Sequence, residues 1–229
     1  MREIVTSIFV EQILPKISEI SEVAIVGGNN SDPEVIALKN LRNLEVTTFG
    51  IDPGLDFYLD LNSVQSFNKK YDLVICSQVL EHIYDVKNAI HIMSEMTRDR
   101  GFIWIACPAS NRSHGSPDYY SAGYQPELVA NLAAPIGLQV ICKGLIGSKR
   151  GYFFTHALRV WPTLQEHQHP ITRYLFSRSQ GGLTIKFLRF VRDYPGRFYS
   201  LFQSSRMSSD IEYATEMYIF LKKVLNSRG

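Results

Sequence analysis

Six short apolar runs, each bounded by polar or turn-forming residues, are spread over roughly the first two-thirds of this chain, and stretches of helical periodicity separate most of them. The runs are Glu22–Val26, Leu44–Ile51, Asp56–Leu59, Tyr71–Cys76, Phe102–Cys107 and Leu138–Leu145. They are short and rich in branched residues, as buried strands are. Between them, Glu34–Leu41, Asp85–Met96 and Pro126–Ala134 carry apolar residues on one helical face. Asp32-Pro33 opens the first of these as an N-cap followed by proline at the first helical position. Asp99-Arg100-Gly101 turns the second into the fifth strand, which Pro108 stops. An amphipathic helix over Ile4, Ile8, Phe9, Ile13, Leu14 and Ile17 precedes them, bent or divided by Pro15. Strands that alternate with helices of this length predict a parallel sheet covered on both faces. In such sheets ligands bind outside the carboxyl ends of the strands, at the topological switch point.

The 229 residues are enough for one sizeable core, and the 45% hydrophobic content is that of an ordinary globular chain. The first residues include Arg2, Glu3 and Glu11 without a small-residue cleavage site, so no signal peptide is expected. No apolar run approaches the roughly 20 residues that span a bilayer. Cys76, Cys107 and Cys142 each sit in a strand-like run without metal-type spacing, which predicts reduced, buried thiols and a cytoplasmic protein.

The fourth run continues as Tyr71-Asp72-Leu73-Val74-Ile75-Cys76-Ser77-Gln78-Val79-Leu80-Glu81-His82-Ile83. This stretch resembles the fourth motif of the class I S-adenosylmethionine (SAM) dependent methyltransferases, and the order of the neighbouring runs is similar to theirs over residues 22–146. Asp99-Arg100-Gly101 and Tyr124-Gln125-Pro126-Glu127-Leu128 also fit that pattern. The resemblance implies a Rossmann-like seven-stranded, mostly parallel sheet with an antiparallel last strand and helices on both faces. It also implies a helical insertion before that strand. The end of the chain is ambiguous by periodicity alone: Ser209–Asn226 reads as a helix and Glu216–Lys222 as a strand. The resemblance selects the strand. A single domain over 1–229 then comprises an N-terminal helix (1–20), a SAM-binding core (21–146), a basic helical insertion (147–210) and a last strand with tail (211–229).

The resemblance also assigns residues. Gly27 and Gly28 supply the tight turn and close approach that a SAM or dinucleotide loop needs. The family's acid near the strand end falls on Ile25, and its later glycines on Asn29 and Ser31. Asn29 tolerates a left-handed backbone and is counted with the cofactor residues. The other reading of this loop is a plain strand-to-helix connection. Asp52 ends the second strand, 25 residues after Gly27, where an acid accepts the ribose hydroxyls; otherwise it is a turn aspartate before Pro53-Gly54. Asp60 is assigned to the adenine amino group and Leu61 to the ring, or Asp60 is a loop-capping aspartate. Ser77 and Gln78 fall under the methionine part. Some relatives of this type hold a metal with Glu-His and a carboxylate four residues earlier. Ser77 stands at that position, so no metal is expected. His82 is a catalytic candidate, and helix entry is the other use of Glu81-His82.

The loop Ser110–Tyr124 follows the fifth strand and carries His114, Asp118, Tyr119, Tyr120 and Tyr124. A histidine, an acid and clustered tyrosines there predict the acceptor site, with His114 as first choice of base. Tyrosines packed on the body are the alternative. Between Gly147 and Met207 ten Lys and Arg stand against two acids, a local balance of +8 on a body of −6. Leu183–Phe202 interleaves Lys186, Arg189, Arg192 and Arg197 with aromatic and aliphatic residues. Such a segment suits an anionic membrane surface, a phosphate-bearing acceptor, or a homodimer contact. No nucleic-acid module is recognisable. The expected function is SAM-dependent methyl transfer, as O-methylation, to a small-molecule, sugar or lipid-linked acceptor, in a cytoplasmic or peripherally membrane-bound protein. A degenerate methyltransferase-like scaffold is the alternative. An NAD-dependent oxidoreductase ranks lower, because only the first glycine of Gly-x-Gly-x-x-Gly is in register and no tyrosine-lysine pair stands out.

Overall fold

The computed structural model describes residues 2–17, 19–41, 44–110, 119–147 and 214–225. The chain divides into two compact units, Met1–Ile146 with Thr215–Gly229, and Gly147–Ala214.

Seven strands form one sheet: β1 (Glu22–Val26), β2 (Glu45–Gly50), β3 (Phe57–Tyr58), β4 (Tyr71–Ser77), β5 (Thr97–Pro108), β6 (Leu138–Gly147) and β7 (Ala214–Lys223). Their order is β3-β2-β1-β4-β5-β7-β6. The β1–β2, β1–β4, β2–β3 and β4–β5 pairs are parallel, and β5 and β7 are antiparallel. Helices α1 (Arg2–Ile8), α2 (Pro33–Leu41), α3 (Val86–Met96) and α4 (Pro126–Ala133) complete the unit. The sheet changes direction between β1 and β4, so the switch point lies at their carboxyl ends.

Strand alternation divides the core into two layers. Ala24, Val26, Val74, Cys76, Ile103, Ile105, Met217 and Ile219 share one cluster with α3 and α4 residues such as Ile90, Met93 and Val129. Val23, Leu73, Ile75, Trp104, Tyr218 and Phe220 share the other with Phe9, Ile13 and Leu38. Trp104 is wholly buried, with Phe9 at 5.3 Å and Tyr218 at 5.5 Å between ring centroids. Each fully buried side chain of this size contributes roughly 1.5–3 kcal/mol from burial alone. β7 is buried along nearly its whole length, which explains why its middle, Met217–Leu221, is continuously apolar rather than alternating.

Pro15 divides the opening helix: α1 runs into a π-helical turn at Phe9–Ile13 and then a short 3-10 turn at Leu14–Lys16. The turn expected at Asp99-Arg100-Gly101 lies inside β5. Thr97 pairs with Tyr71, Arg100 takes φ 64°, and regular pairing resumes at Phe102 with Leu73. Cys76 and Cys107 are buried thiols. Cys142 is only partly buried, because β6 is the sheet's outer strand and alternates between core and solvent.

Three polar ties lock the frame. Asp72 Oδ2 accepts from Ser21 N, Ser21 Oγ and Glu22 N, while its Oδ1 accepts from Arg98 Nη1 at 2.6 Å. Lys223 Nζ donates to the carbonyls of Ser94 (2.7 Å) and Thr97 (3.0 Å), satisfying the end of α3. Thr215 Oγ1 donates to Ile146 O at 3.3 Å, joining the start of β7 to the end of β6. No described helix is long and apolar enough to cross a membrane.

Candidate functional site

A cavity of about 390 Å3 opens at the carboxyl ends of β1, β2 and β4. That size suits a small-molecule or cofactor ligand. Its wall includes Gly27, Ile51, Asp52, Asp60, Leu61, Gln78, Val79, His82 and Tyr120. Asp52, Asp60 and His82 come from three separate connections, which the parallel sheet brings to one edge.

The turn after β1 is shaped by close approach. Gly27 takes φ +71°, and its N–H donates to Phe49 O at 2.7 Å. A Cβ there would stand 2.5 Å from Val79 Cγ2, so Val79 lies directly on the glycine. A Cβ on Gly28 would collide with the Asp32 carboxylate. The rest of the loop is bonded to itself: Asn29 N donates to Asp32 Oδ2 at 3.1 Å, Ser31 N to Asn29 Oδ1 at 2.8 Å and Asp32 N to Asn29 O at 3.1 Å. Pro33, at the start of α2, has no N–H to offer.

Asp52 is exposed at the cavity mouth. Asp60 also faces the cavity, but its carboxylate caps the next turn, accepting from Asn62 N (2.9 Å) and Ser63 Oγ (3.0 Å). An ionised carboxylate has about four lone-pair sites, so acceptor capacity remains. Asn62 joins this turn to the approach to α3, accepting from Tyr84 N at 3.1 Å. In sequence, the run Asp60-Leu61-Asn62-Ser63 is the turn signal that marks Asn62.

β4 ends in a kink. Gln78 takes φ 60°, its N–H donates to Ala106 O at 2.7 Å, and its side chain donates to Glu216 Oε2 at 2.9 Å. Ser77 points elsewhere, its Oγ donating to Glu34 Oε1 at 3.1 Å. A 3-10 turn at Leu80–His82 follows, with Glu81 buried and His82 partly exposed. Glu81 Oε1 lies 3.9 Å from His82 Nε2, and the ring of Tyr119 meets His82 edge-on at 5.8 Å. Glu81 O accepts from Tyr120 N at 2.9 Å, which holds the tyrosine segment beside the histidine. Burial pushes the Cys76 and Cys107 thiols above their ordinary range, and the Glu81 charge adds to this. Both are therefore poor nucleophiles.

Of the residues assigned from sequence, Gly27, Asp52, Asp60, Leu61, Gln78, His82 and Tyr120 border the cavity. Gly28, Asn29 and Ser77 serve the loop and α2 behind it. Tyr119 stands against His82. Tyr124 packs against the core, its N–H bonded to Pro108 O, and burial raises its hydroxyl pKa. His114, Asp118 and the basic run 183–202 lie outside the described residues. Glu34, Val79 and Glu216 were not singled out from sequence. They enter through contacts between residues up to 138 positions apart, which no local pattern encodes.

The lining brings two carboxylates and a histidine to the cavity and no lysine or arginine among the described residues. That charge favours a cationic ligand over a phosphate. A pyrophosphate cradle needs free N–H groups at a helix start. Here several N–H groups of the loop are already bonded, and the helix begins with proline.

No family model matches the sequence, and no curated protein matches it. Solved structures do match the fold. The cyclase SpnF aligns with TM-score 0.56 and 14% identity, over 97% of this chain and 80% of its own. A putative sarcosine dimethylglycine methyltransferase from Galdieria sulphuraria gives 0.56 and 12%, over 96% and 86%. A SAM-dependent methyltransferase from Archaeoglobus fulgidus gives 0.53 and 13%, over 97% and 95%. Two of these three are named methyltransferases and one a cyclase, so the likeness is one of fold. The chain has the class I SAM-dependent methyltransferase fold.

Proposed function

We propose that this chain binds SAM in the switch-point cavity and transfers its methyl group to an acceptor held beside His82. The observation that carries the reading is the cavity lining: a glycine turn, Asp52 after β2, and Asp60-Leu61 after β3, with no basic side chain among the described residues. Asp52 suits the ribose hydroxyls, Asp60 and Leu61 an adenine edge and face, and the negative lining a sulfonium. SAM supplies a methyl group on a positively charged sulfur that is already a good leaving system.

The protein's part is positioning, exclusion of water and handling of one proton. A hydroxyl acceptor against His82 gives its proton to the imidazole as its oxygen bonds to the methyl carbon and the carbon–sulfur bond breaks. Buried Glu81 stands beside the ring, its Oε1 3.9 Å from Nε2. Tyr119 and Tyr120 flank the acceptor. The acceptor we favour is a small-molecule, sugar or lipid-linked hydroxyl, with the basic segment 147–207 serving a phosphate-bearing group or an anionic membrane surface.

Calorimetry with SAM and S-adenosylhomocysteine tests this. Saturable binding of both, and none of NAD, is expected. Absence of heat and of competition would favour a second reading, a binding protein that has lost SAM. The self-bonded loop Asn29–Asp32 is the observation on that side.

A further inference from the structure

Two tyrosine rings stand in water at the rim of the cavity, and the packing of the core does not account for them. Tyr84 is 64% exposed and Tyr120 51%, and neither belongs to either layer of the core. Their centroids lie 5.6 Å apart with 78° between the ring planes, so the rings meet as the two walls of a corner. Tyr120 lines the cavity together with His82 and Asn62, whereas Tyr84 stands outside it. The corner is therefore the step from the cavity to solvent.

Both rings are carried on backbone that is already fixed. Tyr120 N donates to Glu81 O at 2.9 Å, and Ser121 N donates to the same carbonyl at 3.2 Å. Tyr84 N donates to Asn62 Oδ1 at 3.1 Å, and Asp85 N to the same oxygen at 3.3 Å. Asp85 in turn caps α3, accepting from Asn88 N at 2.9 Å. The rings come from separate connections, one after β4 and one after β5, and the Glu81 carbonyl ties the second connection to the first. Apolar side chains scattered singly over a surface need no explanation. A pair of rings oriented from two connections and set against a ligand cavity is different. It is a large contact surface with little conformational entropy left to lose on binding.

The shape and chemistry of the corner select what it takes. In the reading above the cavity holds the cofactor, so the acceptor lies at the rim beside His82. A tyrosine face is apolar and carries the negative side of the ring quadrupole, which suits C–H groups. A flat aromatic ligand gains most from a slot that covers both of its faces, and an open corner covers only one face and one edge. A phosphate meets no lysine or arginine among the described residues of the lining. A pyranose fits both the shape and the exposure: its C–H face lies on a ring while its hydroxyls keep their water.

Resting on the methyltransferase reading, we infer that Tyr84 and Tyr120 are the docking corner for the acceptor and that the acceptor presents a sugar ring there. The C–H face of the sugar stacks in the corner, and the hydroxyl to be methylated is directed at the cavity beside His82. Tyr84 is then a specificity-determining residue for the acceptor, while Asp52 and Asp60 serve the cofactor.

The test is ligand-detected NMR on the full chain with S-adenosylhomocysteine present, and calorimetry for S-adenosylhomocysteine itself. The probes are methyl β-glucopyranoside, methyl β-galactopyranoside, p-cresol and choline. At least one pyranoside is expected to show saturable transfer, strongest on the C–H protons of one ring face. Y84A is expected to weaken it roughly fivefold or more, and Y84F to keep it within about twofold, because the ring and not its hydroxyl makes the contact. Both variants are expected to bind S-adenosylhomocysteine like wild type and to melt within about 2 °C of it, since Tyr84 is exposed. Tighter binding of p-cresol or choline than of either pyranoside overturns the sugar assignment. So does the absence of pyranoside binding, or pyranoside binding that Y84A leaves unchanged. Loss of S-adenosylhomocysteine in Y84A makes the ring a wall of the cofactor site and overturns the inference while the methyltransferase reading stands. Wild-type protein that binds no S-adenosylhomocysteine fails that reading, and the inference with it.

Discussion

Replacing Gly27 with alanine perturbs the turn in two separable ways, and the structure gives a magnitude for each. The backbone sits at φ +71°, where an L-residue costs roughly 1–2 kcal/mol. The new methyl would also stand 2.5 Å from Val79 Cγ2 and 3.0 Å from Cγ1, an overpacking of about 1–3 kcal/mol. G27A is therefore expected to lose about 2–5 kcal/mol, read as a lower urea midpoint at unchanged slope. In a chain of this size each kcal/mol lowers the melting temperature by roughly 2–4 °C. Val79→Ala removes both colliding methyls and leaves the two Cβ atoms 3.3 Å apart, a tight but tolerable contact. In that background G27A retains only its dihedral cost, so the two changes couple favourably by about 1–3 kcal/mol. A G27A loss below about 0.5 kcal/mol, or a cycle without coupling, would refute the packing of Val79 on Gly27 on which the account of the cavity wall rests.

Asp52→Ala is expected to weaken SAM roughly tenfold or more, and unchanged affinity by calorimetry would remove the ribose assignment. Asp72→Ala strands the N–H groups of Ser21 and Glu22 and leaves Arg98 paired with Glu22 alone; a loss of about 2–3 kcal/mol in urea unfolding is expected, and a neutral result would make that knot decorative. The Cys76 and Cys107 thiols are held above their ordinary range by burial, so the folded state keeps protons that the unfolded chain sheds above about pH 8.5. Their contribution is complete below that value and is lost as pH climbs, so the urea midpoint should fall between about pH 8 and about pH 10, and fall less in C107A. Ellman's reagent should reach Cys142 in the native protein and the other two cysteines only after denaturation.

The alternation of apolar runs with helical stretches was legible because each strand must bury both faces and each helix only one. It placed Asp52, Asp60 and Gln78 at successive strand ends, where the sheet brings them to a shared cavity. β7 was less legible: a strand buried on both faces has no period, and only resemblance chose between strand and helix. Side-chain direction was not legible at all. Asn29 and Ser77 sit where cofactor residues were expected, yet Asn29 bonds Ser31 and Ser77 bonds Glu34. Glu34 itself looks in sequence like an ordinary first-turn acid, since nothing local reveals that Ser77 will bury it.

The hydrogen bond from Thr215 to Ile146 brings together residues 69 positions apart in sequence. It therefore holds the end of β6 close to the start of β7. Because loop-closure entropy grows only with the logarithm of length, the sheet is nearly indifferent to how much chain is hung there. A short linker in place of residues 148–213 is therefore expected to leave β6 and β7 paired.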